Sequence, residues 1–319
     1  VAVPVDSTTD ISAIGSRFGL KGSADLGNGL TARGHYEFGL NSDKKDNGLF
    51  NRVATVGVAG SFGSVDVGQQ WSAFYNTTGV DMDPTPNLGG IPGSPYRASN
   101  TIKYANSVGP LTIEADLRLN GNGDEAGTDG LAGDGGGIGI RVAVTDNLTL
   151  AAAYDTEDRS DNLRHVYQPA VPAVAATSQG GKAVAAVPGK TGIGPDTDRV
   201  GVSGKVTLGQ FWGTLAWSSH NVTATSFDAA GTVTGMSETE TDYAQLFVGA
   251  SLTDSTSAWV GYGQSETEGS TLTPSAVNVG LNHSLGGGLS VFYEGKSDDS
   301  DVAGQDSTLT HYAALRLDF

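Results

Sequence analysis

The chain has 319 residues, with 35 acidic against 18 basic side chains, a net charge of −17, 47 glycines and no cysteine. The missing cysteine excludes a disulfide framework, a thiol nucleophile and a thiolate metal site. The negative balance lacks the basic footprint that nucleic acid requires, and aromatic and β-branched residues run along the whole chain, which argues against disorder.

No apolar run reaches the roughly 18 residues of a spanning helix. The nearest candidate, Ala170 to Val187, is broken by proline, glycine and lysine. Hydropathy alone reads as soluble, yet a membrane β-barrel gives the same weak average. The chain opens at Val1 with no methionine and no signal peptide, and so reads as processed or trimmed. Its length suits one barrel, and residues 1–319 are expected to form a single domain.

Alternation with period two dominates from end to end, and helical spacing is nearly absent. In chain order, Leu111, Ile113, Ala115, Leu117 and Leu119 share one face, with Thr112, Glu114, Asp116 and Arg118 on the other. Ile138, Ile140, Val142 and Val144 oppose Gly139, Arg141 and Ala143. Val200, Val202 and Val206 oppose Arg199, Ser203 and Lys205. Val277, Val279 and Leu281 oppose Asn278, Gly280 and Asn282. Leu309, Ala313, Leu315, Leu317 and Phe319 close the series. Such strands want apolar surroundings on one side and water on the other.

Tight turns fall at Asp25–Asn28, Gly60–Ser64, Val108–Pro110, Thr145–Asn147, Leu208–Gln210, Thr253–Ser255 and Leu285–Gly288. Longer polar segments alternate with them: Asp6–Asp10, Asn41–Gly48, Ser72–Ser99, Gly121–Gly135, Glu157–Pro195, Thr225–Glu240, Thr267–Leu272 and Ser297–Asp306. Together they separate about sixteen strands, with short connections at one end and long ones at the other, as in an up-and-down transmembrane barrel. A closed barrel pairs every backbone group and leaves no edge, so its strands can face lipid. A soluble sandwich, the competing reading, places its loops without regard to end. Phe211, Trp212, Tyr262, Tyr293 and Phe319 suit the two membrane interfaces.

Residues 16–38 (SRFGLKGSADLGNGLTARGHYEF), 51–70 (NRVATVGVAGSFGSVDVGQQ), 81–90 (DMDPTPNLGG) and 97–107 (RASNTIKYANS), with the terminal LRLDF, resemble general Gram-negative outer-membrane porins. The resemblance is strong over 16–120 and at the terminus, and rests on strand pattern elsewhere. It implies an all-β, antiparallel sixteen-stranded barrel, usually a homotrimer, in contact with outer-membrane lipid and lipopolysaccharide. It also implies that the third external loop, within residues 72–99, folds into the pore. The implied function is passive diffusion of ions and small hydrophilic solutes through a water-filled channel, with no enzyme activity, no cofactor and no nucleic-acid partner.

The resemblance places Arg17, Arg52 and Arg97 in a basic wall, Asp83 on the facing loop, Glu37 in the lumen, and Gly89 and Gly90 as the loop's glycine pair. Phe319 takes the place of the terminal assembly signal. Two positions depart from the family. Asn87 is neutral where a second loop carboxylate is expected, with Asp81 as its substitute. The family's first strand falls mostly ahead of Val1.

A narrow wet pore with cations on one wall and anions on the other sets up a transverse field. Arginine suits such a wall because it stays charged at any working pH, and Asp81 and Asp83 are expected to stay ionised while wet. Arg33, His35, Glu114, Asp116, Arg118, Arg141 and Arg316 project inward by parity and are expected to line the lumen, and Lys21 is a further candidate. The external segments are acidic at Asp124, Glu125, Asp129, Asp134, Asp155, Glu157, Asp158, Asp298, Asp299 and Asp301. Acidic entrances concentrate cations within a Debye length, so cation preference is expected, opposed by the arginines at the constriction.

Residues 127–137 (GTDGLAGDGGG) resemble one copy of a calcium-binding Gly-Asp repeat, which makes Asp124, Asp129 and Asp134 candidate Ca²⁺ ligands on a loop otherwise read as acidic. None of the five histidines stands in an HExxH pattern, and His311 lies on the apolar face near the external end. A barrel hydrolase would need a Ser–His pair, for which His220 with Ser218 or Ser219 is the candidate. The alternatives to an unspecific channel are a sugar or anion channel, for which Tyr243 and Phe247 on one strand supply the aromatic hint, and a surface receptor or adhesion role for the long external loop 157–195.

Overall fold

A computed structural model of the chain describes residues 15–40, 48–85, 97–119, 133–157, 196–227 and 233–318. Fifteen antiparallel strands form one sheet in sequence order. The first eight are β1 (Arg17–Gly27), β2 (Leu30–Leu40), β3 (Leu49–Gly60), β4 (Gly63–Trp71), β5 (Arg97–Val108), β6 (Leu111–Leu119), β7 (Gly133–Thr145) and β8 (Leu148–Glu157). The rest are β9 (Asp196–Leu208), β10 (Phe211–Phe227), β11 (Val233–Thr253), β12 (Thr256–Thr267), β13 (Ser275–Gly286), β14 (Leu289–Asp299) and β15 (Thr308–Leu317).

Every strand pairs with its chain neighbours, which is up-and-down topology. Among the described residues the ladder runs from β1 to β15 without pairing its two ends. The expected count was about sixteen; the stretch ahead of Gly15 and residue Phe319 lie outside the described residues.

The burial pattern is inverted relative to a soluble sheet. On β9, Val200 and Val202 are each 44% exposed, whereas Ser203 is 6% exposed. On β13, Val277 and Val279 face out while Asn278 is buried. Leu117 is exposed between buried Asp116 and Arg118 on β6. Apolar side chains thus cover the outside and polar ones the inside, as a strand between lipid and an aqueous lumen requires. No helix of the described residues is long and apolar enough to cross a membrane; the strands serve that purpose instead.

The tight connections hold two residues each, at 28–29, 61–62, 109–110, 146–147, 209–210, 254–255 and 287–288. They fall where the turn chemistry placed them. One long segment is corrected. Thr225–Glu240 is not a loop: β10 runs to Phe227 and β11 begins at Val233. These strands have 17 and 21 residues, against the roughly 9–11 that cross a bilayer. They are longer than a bilayer needs, and the stretch Ser237–Glu240 of β11 is polar on both faces, so it lacks the alternation that marks a half-buried strand. Cross-strand bonds hold this stretch: Ser219 Oγ donates to Glu240 (3.0 Å) and Asn221 Nδ2 to Glu238 (2.5 Å).

The aromatics divide. Phe211, Tyr262 and Tyr293 face outward, and the Tyr293 hydroxyl lies 2.7 Å from His311 Nδ1 on the outer face. Trp212 is a correction: it shares the inner face with Thr214 and Ala216 and packs against the glycine opposite it on β11 rather than against lipid.

Candidate pore constriction

The segment after β4 does not stay outside. After Ser72 it forms two short helical turns, Tyr75–Gly79 and Val80–Met82, that lie on the inner face of β7 to β10. Its base is tied to β5 and β6. The Ala73 amide donates to Asp116 Oδ2 (2.5 Å), Asn76 Nδ2 donates to Glu114 Oε2 (2.8 Å), and Lys103 Nζ bridges the Trp71 carbonyl and Glu114, 3.1 Å from each. Glu114 and Asp116, expected as lumen lining, therefore anchor the loop.

The crest of the loop is held by the strands beyond its base, β7, β9 and β11. Arg141 of β7 donates to both carboxylate oxygens of Asp81, at 2.7 and 3.0 Å, and to the Thr77 carbonyl at 2.7 Å. Ser203 of β9 donates to Asp81 at 2.8 Å, and Gln245 of β11 donates to the Met82 carbonyl at 2.5 Å. Asp81 is 2% exposed. It is therefore an anchor and not the bare wall charge expected from sequence: its own burial and a bidentate arginine partner leave little of it for solutes.

Two glycines in the wall make room for the loop. A Cβ at Gly139 would overlap the Thr77 side chain, and one at Gly201 would stand 2.6 Å from the Phe74 ring. The hydrophobic cluster of Phe74, Met82, Ala153 and Ala216, with Tyr243 against it, seals the contact.

On the near side the expected basic residues converge. Arg52 donates to Glu37 at 2.7 Å. Arg97 lies 4.7 Å and Arg52 5.8 Å over the Trp71 ring, a cation–π arrangement. Arg97 also feels the charges of Arg52, Glu37 and Arg17. Among the described residues no carboxylate pairs with Arg17 or Arg97. Trp71 stacks on Tyr75 at 4.6 Å, and the Tyr75 hydroxyl donates to Asp83 at 3.3 Å. The row from Arg97 through Trp71 and Tyr75 to Asp83 spans from basic wall to acidic loop. Burial, with Glu294 nearby, pushes the Asp83 carboxyl up to about 6, against the Tyr75 bond, which lowers it. Asp83 is thus still mostly ionised at neutrality, as expected, but takes up its proton in mild acid, well before an ordinary carboxylate.

Arg33 pairs with Asp66. Arg118 pairs with Asp155 and, at 3.3 Å, with Asp116; Arg199 pairs with Asp155 at 2.8 Å. Asp155, placed by sequence among external acidic residues, is fully buried in this inner-wall lattice. The lattice has no local motif, because its members come from β6, β8 and β9. Below the loop, Lys21, Arg33, His35 and Lys103 border a cavity of about 600 Å³ on the short-turn side.

Gly89, Gly90, Asp124, Asp129 and Phe319 lie outside the described residues, as do the side chain of Asp134 and loop residues 158–195. Among the described residues no group of three His, Asp or Glu is placed to hold a metal ion. The Ser218 hydroxyl is 3.1 Å from His220 Nε2, but both are buried on one strand with no nucleophile access.

An antiparallel up-and-down sheet, apolar outside and polar inside, with a loop pinned across its inner face, defines a transmembrane channel barrel. The chain belongs to the Gram-negative porin family, whose description matches residues 5–305; porins are channels and not enzymes. It is 37% identical over 105 residues to an outer membrane porin protein of Bordetella pertussis, covering 30% of this chain and 26% of that protein. It is 28% identical over 159 residues to the outer membrane porin PhoE of Klebsiella oxytoca, covering 46% and 45%. The matched stretch is thus about a quarter of the first relative's length and under half of the second's. Among solved structures, a loop-deletion mutant of OmpT of Vibrio cholerae superposes with a TM-score of 0.71 at 15% identity, covering 98% of this chain and 93% of that one. Salmonella typhi OmpF gives 0.67 at 16% identity, covering 97% and 93%. These structural likenesses establish the barrel fold.

Proposed function

We propose that the protein is an outer-membrane diffusion porin, passing ions and small hydrophilic solutes through a water-filled lumen narrowed by the segment Ser72–Thr85. The carrying observation is the placement of this segment inside the barrel, with Asp81 bound to Arg141 and Asp83 reached from Arg97 through Trp71 and Tyr75. Cations on one wall and a carboxylate on the other orient polar solutes and make apolar ones surrender ordered water.

The preference is for cations. Of the basic wall, Arg52 is neutralised in place by Glu37, and the nearby lumen cations Arg33 and Lys103 are neutralised by Asp66 and Glu114. The chain as a whole carries −17, which enriches cations at the entrances. Arg17 and Arg97 oppose this locally and keep the preference weak. The working form is a homotrimer with its apolar outer face in outer-membrane lipid and lipopolysaccharide; an OmpT of Vibrio cholerae was solved in a trimer form. No cofactor is invoked, and calcium at Asp124, Asp129 and Asp134 would be a surface addition to this function.

The test is ion current through folded protein in a planar bilayer under a salt gradient. Discrete steps with a reversal potential of cation sign support the proposal. A folded barrel without steps overturns it.

A further inference from the structure

We infer that the lumen carries a binding site for a neutral saccharide, on the external side of the loop, between β11 and β15. A cavity of about 340 Å³ opens there, bordered by Tyr243, Phe247, Asn278, Lys296, Asp298 and Asp306 among others. That size lies within the range of about 300–1,000 Å³ typical of small-molecule sites. The cavity is separate from the arginine wall on β1–β5 and goes beyond unspecific diffusion.

Its inner end offers donors. Phe247, Gly261, Asn278 and Lys296 form one row across β11 to β14. Asn278 is 3% exposed. Its Oδ1 accepts from Trp259 Nε1 at 3.2 Å. Trp259 can only donate, so the amide orientation is fixed with Nδ2 turned away from the indole. That Nδ2 is buried with no hydrogen-bond partner, although a buried donor is normally satisfied. A ligand acceptor at this point supplies the missing partner. The Lys296 ammonium stands in the same row, 2.7 Å from Asp298.

The mouth of the cavity offers acceptors, with Asp298, Asp299 and Asp306 on it. One flank is apolar: Tyr243, Ala276 and the Phe247 ring, which lies flat over Gly261 because no Cβ intervenes.

An anion would meet three carboxylates at the mouth against one ammonium that is already paired. A cation would meet two donor groups, Asn278 Nδ2 and Lys296, at the inner end. A ring whose hydroxyls both donate and accept, and whose C–H faces are apolar, matches donors within, acceptors at the mouth and an aromatic flank.

The experiment adds glucose, maltose or maltotriose to the external side of single channels in KCl and reads the block of ion current. Asn278→Leu and Phe247→Leu are compared with the unaltered chain. The expected result is saturable block, with the half-saturating concentration raised about tenfold by either variant, the size expected from one lost hydrogen bond or apolar contact, and with the KCl conductance little changed. Absence of block, or equal block in both variants, overturns the inference. Block by benzyltrimethylammonium in place of the saccharides also overturns it and assigns the cavity to cations. A barrel that folds but does not conduct defeats the diffusion reading alone. Titration calorimetry of maltotriose into detergent-folded protein then decides the site, with heat expected from the unaltered chain and its loss expected in Asn278→Leu; no heat from the unaltered chain overturns it.

Discussion

Asp81 on the loop and Arg141 on β7 form a two-bond ion pair, 2.7 and 3.0 Å long, that pins the crest of the constriction to the inner wall one strand beyond its base on β6. The two residues are 60 positions apart in sequence. Asp81 is almost fully enclosed, whereas Arg141 keeps part of its side chain in the lumen, so the pair has a protected half and a wet half.

Removing the arginine leaves a buried carboxylate with, among the described residues, only Ser203 to satisfy it. Taking one partner from a buried pair costs about 3–5 kcal/mol, and the wet arginine puts this case at the lower end. Arg141→Ala is expected to release the crest of the loop, with larger current fluctuations and a lower unfolding temperature. Asp81→Asn, which leaves no buried charge, is expected to do the same more weakly. Single-channel noise and thermal unfolding of both variants check the order.

The glycines opposite the loop give a steric version of the same test. At Gly201 a larger side chain enters the space of the Phe74 ring. Overpacking costs about 1–3 kcal/mol, and here a loop can move in place of the wall. Gly201→Leu is expected to fold and conduct, with the loop pushed into the lumen and the unit conductance reduced. Unaltered conductance would show that Phe74 does not lean on this wall.

Arg97, which no carboxylate pairs among the described residues, and Arg52, paired with Glu37, place positive charge beside Trp71. Arg97→Ala or Arg52→Ala is expected to move the reversal potential further toward cation preference. The shift should be larger at low salt, because screening between wet charges grows with ionic strength. No shift for Arg52→Ala would remove that residue from the constriction.

Asp83 gives a pH dependence. Its carboxyl is raised to about 6, above the usual value near 4. Between pH 7 and pH 5 the loop therefore loses a negative charge, and cation preference is expected to fall with a midpoint near 6. The raised value also means that the folded state binds this proton more tightly than the unfolded chain. Stability from this group is gained as pH falls through about 6, is complete below about 4, and is lost again as pH rises. Asp83→Asn should flatten the selectivity profile over this range.

The strands and all seven tight turns were legible because alternation and turn residues are local signals. Arg17, Arg52, Arg97, Asp83 and Glu37 come from the family resemblance; Arg52 and Arg97 stand over Trp71, with Glu37 on Arg52. The long hairpin of β10 and β11 escaped because Ser237, Glu238, Thr239 and Glu240 carry no apolar face. The loop's anchors escaped for another reason. Arg141 reads as ordinary lumen lining, and Gly139 and Gly201 read as ordinary strand glycines, until the fold brings Thr77 and Phe74 onto them. Asp155 sits near a loop in sequence and reads as a surface residue, but its partners lie on other strands, Arg199 on neighbouring β9 and Arg118 on β6, two strands away. Inward parity was visible for Arg118 and Arg141; which carboxylate each would meet depends on closure across strands distant in sequence.

The measurement that bears most directly on the account is the reversal potential of single channels in a planar bilayer under a KCl gradient. Discrete steps, grouped in threes, are expected, with a weak cation preference that strengthens in Arg97→Ala. Folded protein that gives no steps, or steps whose selectivity is indifferent to Arg97, would contradict it.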